Sequence, residues 1–213
     1  MDRRDFIGKG LLGAAFGMVV GPACARSATP DEIEGPFYPV FAQKDRDFDL
    51  TRIEGKQGVA RGKVIFIRGQ VLDTDGQPVE EAIVDLWQAN AEGRYRHPRD
   101  GNPAPLDPFF QGWAIVPSGR DGMIRFKTIF PGAYPASRNW MRPPHIHFKV
   151  NKPGYAELVT QMYFPGEALN ASDLLLQRKD EHERQLMIAS KIQGDPESYE
   201  YKIVLKKVPV AEV

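Results

Sequence analysis

Short runs that alternate apolar and polar residues, broken repeatedly by glycine or proline, constrain this chain more than any other feature. With 20 Gly and 18 Pro among 213 residues, little of it can carry an uninterrupted helix. Residues 64–72 are extended in pattern and end in Asp73, Thr74, Asp75 and Gly76, a turn signal. Residues 82–88 follow. After Asp121 and Gly122, Ile124 and Phe126 alternate with Arg125 and Lys127. Residues 145–150, 158–164 and 199–205 repeat the pattern. Alternation of this kind turns one side of each strand toward a core and the other outward. Such segments with frequent breaks predict a mainly β, single-domain β-sandwich at 64–213 rather than a βαβ fold. Residues 26–63 read as an irregular N-terminal arm, and 96–112 as a long proline-rich loop. At 172–192 a capping pair, Ser172 and Asp173, precedes a polar stretch without an apolar stripe, which predicts short peripheral helical pieces exposed to solvent.

The first 25 residues read as a targeting segment. Arg3, Arg4, Phe6 and Ile7 precede an apolar run from Leu11 to Val20, followed by Ala23, Cys24 and Ala25. The run is too short to span a bilayer and ends in small residues, as a signal peptide does. The paired arginines resemble a twin-arginine export signal, so the chain is expected to be exported, with the periplasm as destination. Removal of that segment takes away the single cysteine, and the mature fold then stands without disulfides. Acidic and basic residues balance at 28 each, which gives no electrostatic reason to expect nucleic acid or, after signal removal, a membrane as partner.

Two of the four histidines lie in the stretch Arg142, Pro143, Pro144, His145, Ile146, His147, Phe148. On a strand His145 and His147 project to one side while Ile146 and Phe148 project to the other. A pair of strand histidines has many uses, but three neighbours favour a metal pincer. Pro143 and Pro144 impose an extended lead-in, Arg142 adds a permanent cation, and Tyr134 sits in the stiff turn Pro131, Gly132, Ala133, Tyr134, Pro135. The remaining histidines differ. His97, in a proline-rich setting, reads as structural, and His182, in a charged stretch, as solvated.

These residues resemble the intradiol ring-cleavage dioxygenases, most nearly the protocatechuate 3,4-dioxygenase branch. The resemblance is carried by Gly35 to Tyr38, Asp85 to His97, Ala104 to Pro108, Thr128 to Pro135, Arg142 to Phe148 and Thr160 to Phe164, in family order. It implies a non-haem Fe(III) cofactor held by Tyr95, Tyr134, His145 and His147. It also implies a catechol substrate cleaved with O2 between its hydroxyl-bearing carbons to a muconate-type diacid. Phenolates suit hard ferric iron, and a free phenol with a pKa of ~10 ionises here only with the metal's help. By the same resemblance Tyr134 is the releasable ligand, Arg142 stabilises charge developing on the ring, and Gln161 lies near the iron. Pro36 and Tyr38 border the substrate.

One position departs from the resemblance. Where the protocatechuate enzymes carry a tryptophan two residues after the releasable tyrosine, this chain has Ala136, so the pocket wall is altered. Those enzymes divide the work between two related chains. Here all four ligands lie in one, which is compatible with action alone or as a homo-oligomer. A competing reading of a different class is an exported β-sandwich that binds iron or a catechol-bearing ligand without turnover.

Overall fold

The computed structural model describes residues 25–208 except Ala42, Lys44 and Asp195. The export signal expected from the first residues therefore lies outside the described part.

Two four-stranded sheets face each other. Strands β1 (Val64–Asp73), β2 (Ile83–Trp87), β3 (Trp113–Pro117), β4 (Met123–Ile129), β5 (Tyr134–Ser137), β6 (Trp140–Arg142), β7 (His145–Asn151), β8 (Leu158–Tyr163), β9 (Ser190–Ile192) and β10 (Ser198–Leu205) follow in chain order. One sheet has the order β4-β1-β10-β9 and the other β3-β2-β7-β8, while β5 and β6 form a separate small hairpin. The first and last long strands, β1 and β10, pair in parallel, with Ile67 opposite Tyr199 and Val71 opposite Ile203. The core is the inward half of each alternation: Ile65, Ile67, Ile124, Phe126, Tyr201 and Ile203 from one sheet against Val84, Leu86, Ile146, Phe148 and Met162 from the other. Phe148 lies between Phe126 and Tyr201, with ring centroids 6.2 and 5.6 Å away. This is the expected β-sandwich.

Because β7 buries Ile146 and Phe148 inside the sandwich, His145 and His147 stand on the outer face of their sheet. Register places Trp87 and Gln161 on either side of His147, and Tyr163 beside His145. That outer face is covered, not solvated. The arm runs along the edge of β8, where Glu32 N–H donates to Val159 O and Thr160 Oγ1 to Pro30 O, and reaches the outer face, where Gln161 Nε2 donates to Ile33 O. The arm is irregular, as its sequence suggests, yet Leu50 within it is fully buried.

The segment at 172–192 forms the expected short helical pieces, but they are not wholly exposed. Two 3₁₀ turns, Ala168–Ser172 and Leu176–Arg178, precede a helix α1 (Glu181–Met187). The cap of α1 is Asp180, whose carboxylate accepts the Glu183 N–H while Glu183 reaches back to Asp180 N–H. Leu175, Leu176 and Met187 are buried, and the last two close over Tyr163. Leu175 and Leu176 open one 3₁₀ turn while Met187 ends α1, so no single helical stripe announces them.

Candidate metal centre and substrate pocket

Tyr95 and Tyr134 reach the outer face of β7 from two remote loops that meet backbone to backbone. The carbonyl of Asn90 accepts from both Gly93 N–H (3.0 Å) and Gly132 N–H (2.9 Å), tying the loop of Tyr95 to the approach of Tyr134. Gly93 has φ +75° and its α-carbon faces Ala133 O, while a methyl at Gly132 would lie 2.5 Å from Ala91 O. Only glycine permits both the left-handed turn and this closeness. Beyond the junction, Tyr95 N–H donates to Asp100 and Arg96 donates to Asp107 O and Phe110 O, which fixes a loop with no regular structure.

Four donor atoms converge there. Tyr95 Oη lies 3.1 Å from His147 Nε2, and Tyr134 Oη lies 3.5 Å from His145 Nε2. The two phenol rings are perpendicular with centroids 5.5 Å apart, and the imidazoles are 4.9 Å apart. All four side chains are buried. His145 Nδ1 is 2.7 Å from the carbonyl of Pro143, so it carries the proton and leaves Nε2 a free lone pair. His147 is stacked on Trp87 at 4.7 Å and 11°. Burial, with the Arg142 charge added, pushes both imidazoles well below their usual pKa, so they are neutral donors at any working pH. Burial raises both phenols, Tyr95 further through its neighbour Tyr134; at Tyr134 the Arg142 charge opposes the rise. Protonated, these phenols are poor metal donors. A hard cation between them favours the anion, and two phenolates with two neutral imidazoles make a hard, largely charge-compensated donor set. Among the described residues no cluster of three or more His, Cys, Asp or Glu could hold a metal, so a four-donor site here needs the tyrosines. The residues fit ferric iron.

A cavity of about 200 Å³ opens beside the donors, lined by Tyr134, His147, Arg142, Phe37, Ala136 and Trp140 among others. Arg142 faces Tyr134 across the β5–β6 hairpin. Its guanidinium is held from behind: Nε donates to Asp173 Oδ2 at 2.7 Å, and Nη2 to Gln161 Oε1 at 2.6 Å and to Tyr163 Oη at 3.0 Å. Asp173 also accepts from Leu176 N–H and Trp140 Nε1. Burial alone would lower the Arg142 pKa, but Tyr163, Tyr134 and Asp173 hold it above its ordinary value.

The sequence-derived residues fall into two groups, those at the cavity and one beyond it. Tyr95, Tyr134, His145 and His147 come together, Arg142 lines the cavity and Gln161 braces Arg142. Pro36 lines the cavity as well. Tyr38 does not: its hydroxyl donates to Asp85 at 2.6 Å and its ring meets Trp87 edge-on, beyond the cavity. The preceding side chain, Phe37, takes the expected position, 4.9 Å from the Tyr95 ring and 6.2 Å from that of Tyr134. The arm has no periodicity to distinguish the two. Sequence reasoning also missed Asp173 and Tyr163, and read the former only as a helix cap. Local pattern could not have indicated its pairing with an arginine 31 residues away. His97 accepts Arg99 N–H, and His182 is exposed beside Ser27, both apart from the donors.

Comparison with known proteins agrees with this geometry. Residues 33–207 match a family model described as dioxygenase. The chain belongs to the intradiol catechol-type ring-cleaving dioxygenase family and is an enzyme of that family. It is 39% identical over 197 residues to the protocatechuate 3,4-dioxygenase beta chain of Burkholderia cepacia, covering 87% of this chain and 84% of that protein. A 6-chlorohydroxyquinol 1,2-dioxygenase of Cupriavidus pinatubonensis is 35% identical over 127 residues, but those span 54% of this chain and 44% of that one. Among solved structures, 3-chlorocatechol 1,2-dioxygenase of Rhodococcus opacus 1CP superposes with a TM-score of 0.67 at 25% identity, over 86% of this chain and 75% of that chain. The dioxygenase domain of a carbohydrate-binding fusion from Streptomyces sp. SirexAA-E gives 0.64 at 27%, over 85% of this chain and 100% of that chain.

Proposed function

We propose that this protein is a ferric, non-haem intradiol dioxygenase. It opens a catechol ring between the two hydroxyl-bearing carbons and places both atoms of O2 in a muconate-type diacid. The observation that carries the reading is the meeting of Tyr95, Tyr134, His145 and His147 beside a cavity whose wall includes a braced arginine. Bound by those four residues, ferric iron supplies a Lewis acid that favours the deprotonated catechol and loads its ring with electron density. The two phenols have unequal surroundings. Tyr134 lines the cavity, while Tyr95 lies behind it against Phe37, which supports Tyr134 Oη as the atom that takes a proton from an incoming catechol hydroxyl. Arg142 presents a permanent positive charge to the same space, fixed in orientation by Asp173, Gln161 and Tyr163 before any substrate arrives. A preorganised charge of this kind stabilises negative charge that develops during reaction without having to rearrange. Phe37, Pro36 and Trp140 exclude water from the ring. Removing water strengthens each electrostatic contact in the cavity.

The test is to load the protein with iron, record its visible spectrum, and add catechols with and without oxygen. A ferric centre with phenolate ligands is coloured by charge transfer, the colour changes on catechol binding, and oxygen is consumed as the diacid appears. Tyr95→Phe or His147→Ala should lose iron and colour, whereas Arg142→Ala should keep both and turn over slowly. A protein that binds iron and catechol yet consumes no oxygen would overturn the catalytic reading in favour of binding alone.

A further inference from the structure

A second, much smaller cavity adjoins Tyr95. It measures about 20 Å³, is lined by Trp87, Arg94, Tyr95 and Gln111 among others, and shares only Phe37 with the substrate cavity. Three of its lining residues carry a buried polar atom without a hydrogen-bond partner among the described residues: Trp87 Nε1, Arg94 Nε and Gln111 Oε1. Buried polar atoms are rarely left unpaired, because each gives up a bond to water and gains nothing in return. The rest of each side chain is held elsewhere. Gln111 Nε2 donates to Asp47 O at 2.9 Å and to Trp113 O at 2.8 Å, so Oε1 is the end left over. Arg94 Nη1 donates to Ala104 O. The Trp87 indole is stacked on His147 and meets Tyr38 edge-on, which fixes the direction of its N–H.

Size and chemistry together select the occupant. A single water needs a cavity of about 10–15 Å³, so this one has room for a water and not for an organic ligand. Two N–H donors, one of them on a guanidinium, repel a cation. The Gln111 oxygen opposes an anion. A water accepts from Trp87 and Arg94, donates to Gln111, and so makes the three bonds usual for a buried water.

We propose that this cavity binds one ordered water, and that the water positions two of the four metal donors. It ties the indole stacked on His147 to the residue that precedes Tyr95, across the pair whose Nε2 and Oη stand 3.1 Å apart. Partners one step out from a metal hold the ligand rings in orientation. Trp87, Arg94 and Gln111 are therefore positioning residues, and none of them lines the substrate cavity. This role concerns the donors themselves and does not require that a catechol be cleaved.

The site is tested first on full-length, metal-free protein by NMR, with NOE and ROE measurements paired to separate bound water from proton exchange. The indole N–H of Trp87 should show a direct cross-peak to water, with the sign of a long-lived contact. Its absence would overturn the proposal. Positioning is then read by titrating ferric iron against a competing chelator and following the visible colour. Arg94→Met removes a donor; it should lose the cross-peak and weaken iron binding about tenfold to a hundredfold, the usual cost of losing such a support. Arg94→Lys returns a donor to the cavity and should restore the cross-peak, with iron affinity within a few-fold of the parent. Equal losses in both variants, or unchanged affinity in Arg94→Met, would overturn the positioning role. Should Arg94→Met fail to fold, Trp87→Phe takes its place: it keeps a stacked ring, removes the N–H, and should show the same loss of affinity. If the parent itself binds no iron, the proposed function falls, and the cross-peak still judges the water site.

Discussion

Asp173→Asn tests whether the arginine at the cavity is a held charge or a loosely placed one. Asp173 Oδ1 accepts Leu176 N–H at 2.9 Å and faces Tyr163 Oη, while Oδ2 accepts from Arg142 Nε and Trp140 Nε1. Every polar neighbour donates to it. An asparagine amide therefore turns an NH2 against a donor in either rotamer, and leaves the guanidinium of Arg142, 5% exposed, without its counter-charge. Removing one partner of a buried ion pair costs about 3–5 kcal/mol, most of it from the charge left behind. For a domain of this size that corresponds to a fall in melting temperature of about 10 °C. Thermal unfolding and iron content give the first measurement. The iron-loaded variant should keep its colour, since no donor atom is touched, while kcat falls more than KM rises because the charge facing the ring is misdirected. A double-mutant cycle with Arg142→Met isolates the pair: the double variant should be no less stable than Asp173→Asn alone. Additive losses, or a variant with unchanged melting temperature and kcat, would refute the reasoning.

Three further outcomes follow from other features. In metal-free protein His145 and His147 are held neutral well below their usual pKa, so the unfolded chain takes up protons near pH 6.5 that the folded chain refuses. Stability should accordingly fall as pH drops from about 6.5 toward 5, by up to ~1.4 kcal/mol per unit for each histidine, and His147→Asn should halve the slope of urea midpoint against pH. Gly132→Ala puts a methyl against the backbone of Ala91 and Glu92; a loss of about 1–3 kcal/mol with weakened iron retention is expected, read from unfolding and metal content. Replacing Arg3 and Arg4 by lysine should hold the protein in the cytoplasm if the twin-arginine reading is right, and unchanged cell fractionation would refute it.

What could be read from the sequence depended on whether a position was governed by its neighbours or by distant residues. β1, β4 and β10 were legible because their burial alternates, whereas β2, β7 and β8 are covered on both sides and were read from their apolar or alternating residue types between turn signals. β3, with Trp113, Ala114, Ile115 and Val116 in unbroken apolar succession, offers no alternation. β5, β6 and β9 are three or four residues long, too short for a period to register. In the site, His145 and His147 declare themselves by strand geometry, but Tyr95 lies in a loop whose shape is set by Asp100, Asn102 and Asp107. Only likeness to a family could point to it. Phe37 and Asp173 were missed for the same reason: each acts through residues far along the chain. Burial of Leu175, Leu176 and Met187 was hidden because the two leucines open a 3₁₀ turn and Met187 ends a separate helix, so they share no helix face.

The shared carbonyl of Asn90 acts as a calliper. It takes the N–H groups of Gly93 and Gly132, so the main chain sets the gap between the two phenol-bearing loops, not the side chains around them. The dimension on which the donor set depends is therefore decoupled from the residues that touch a substrate. Ile33, Ala136 and Trp140 can be exchanged without altering the calliper, whereas inserting or deleting a single residue between 90 and 95, or between 129 and 134, would reset it. Such a molecule can vary its cavity wall by point substitution, while the spacing of its two phenols answers to the glycines at the junction and to chain length.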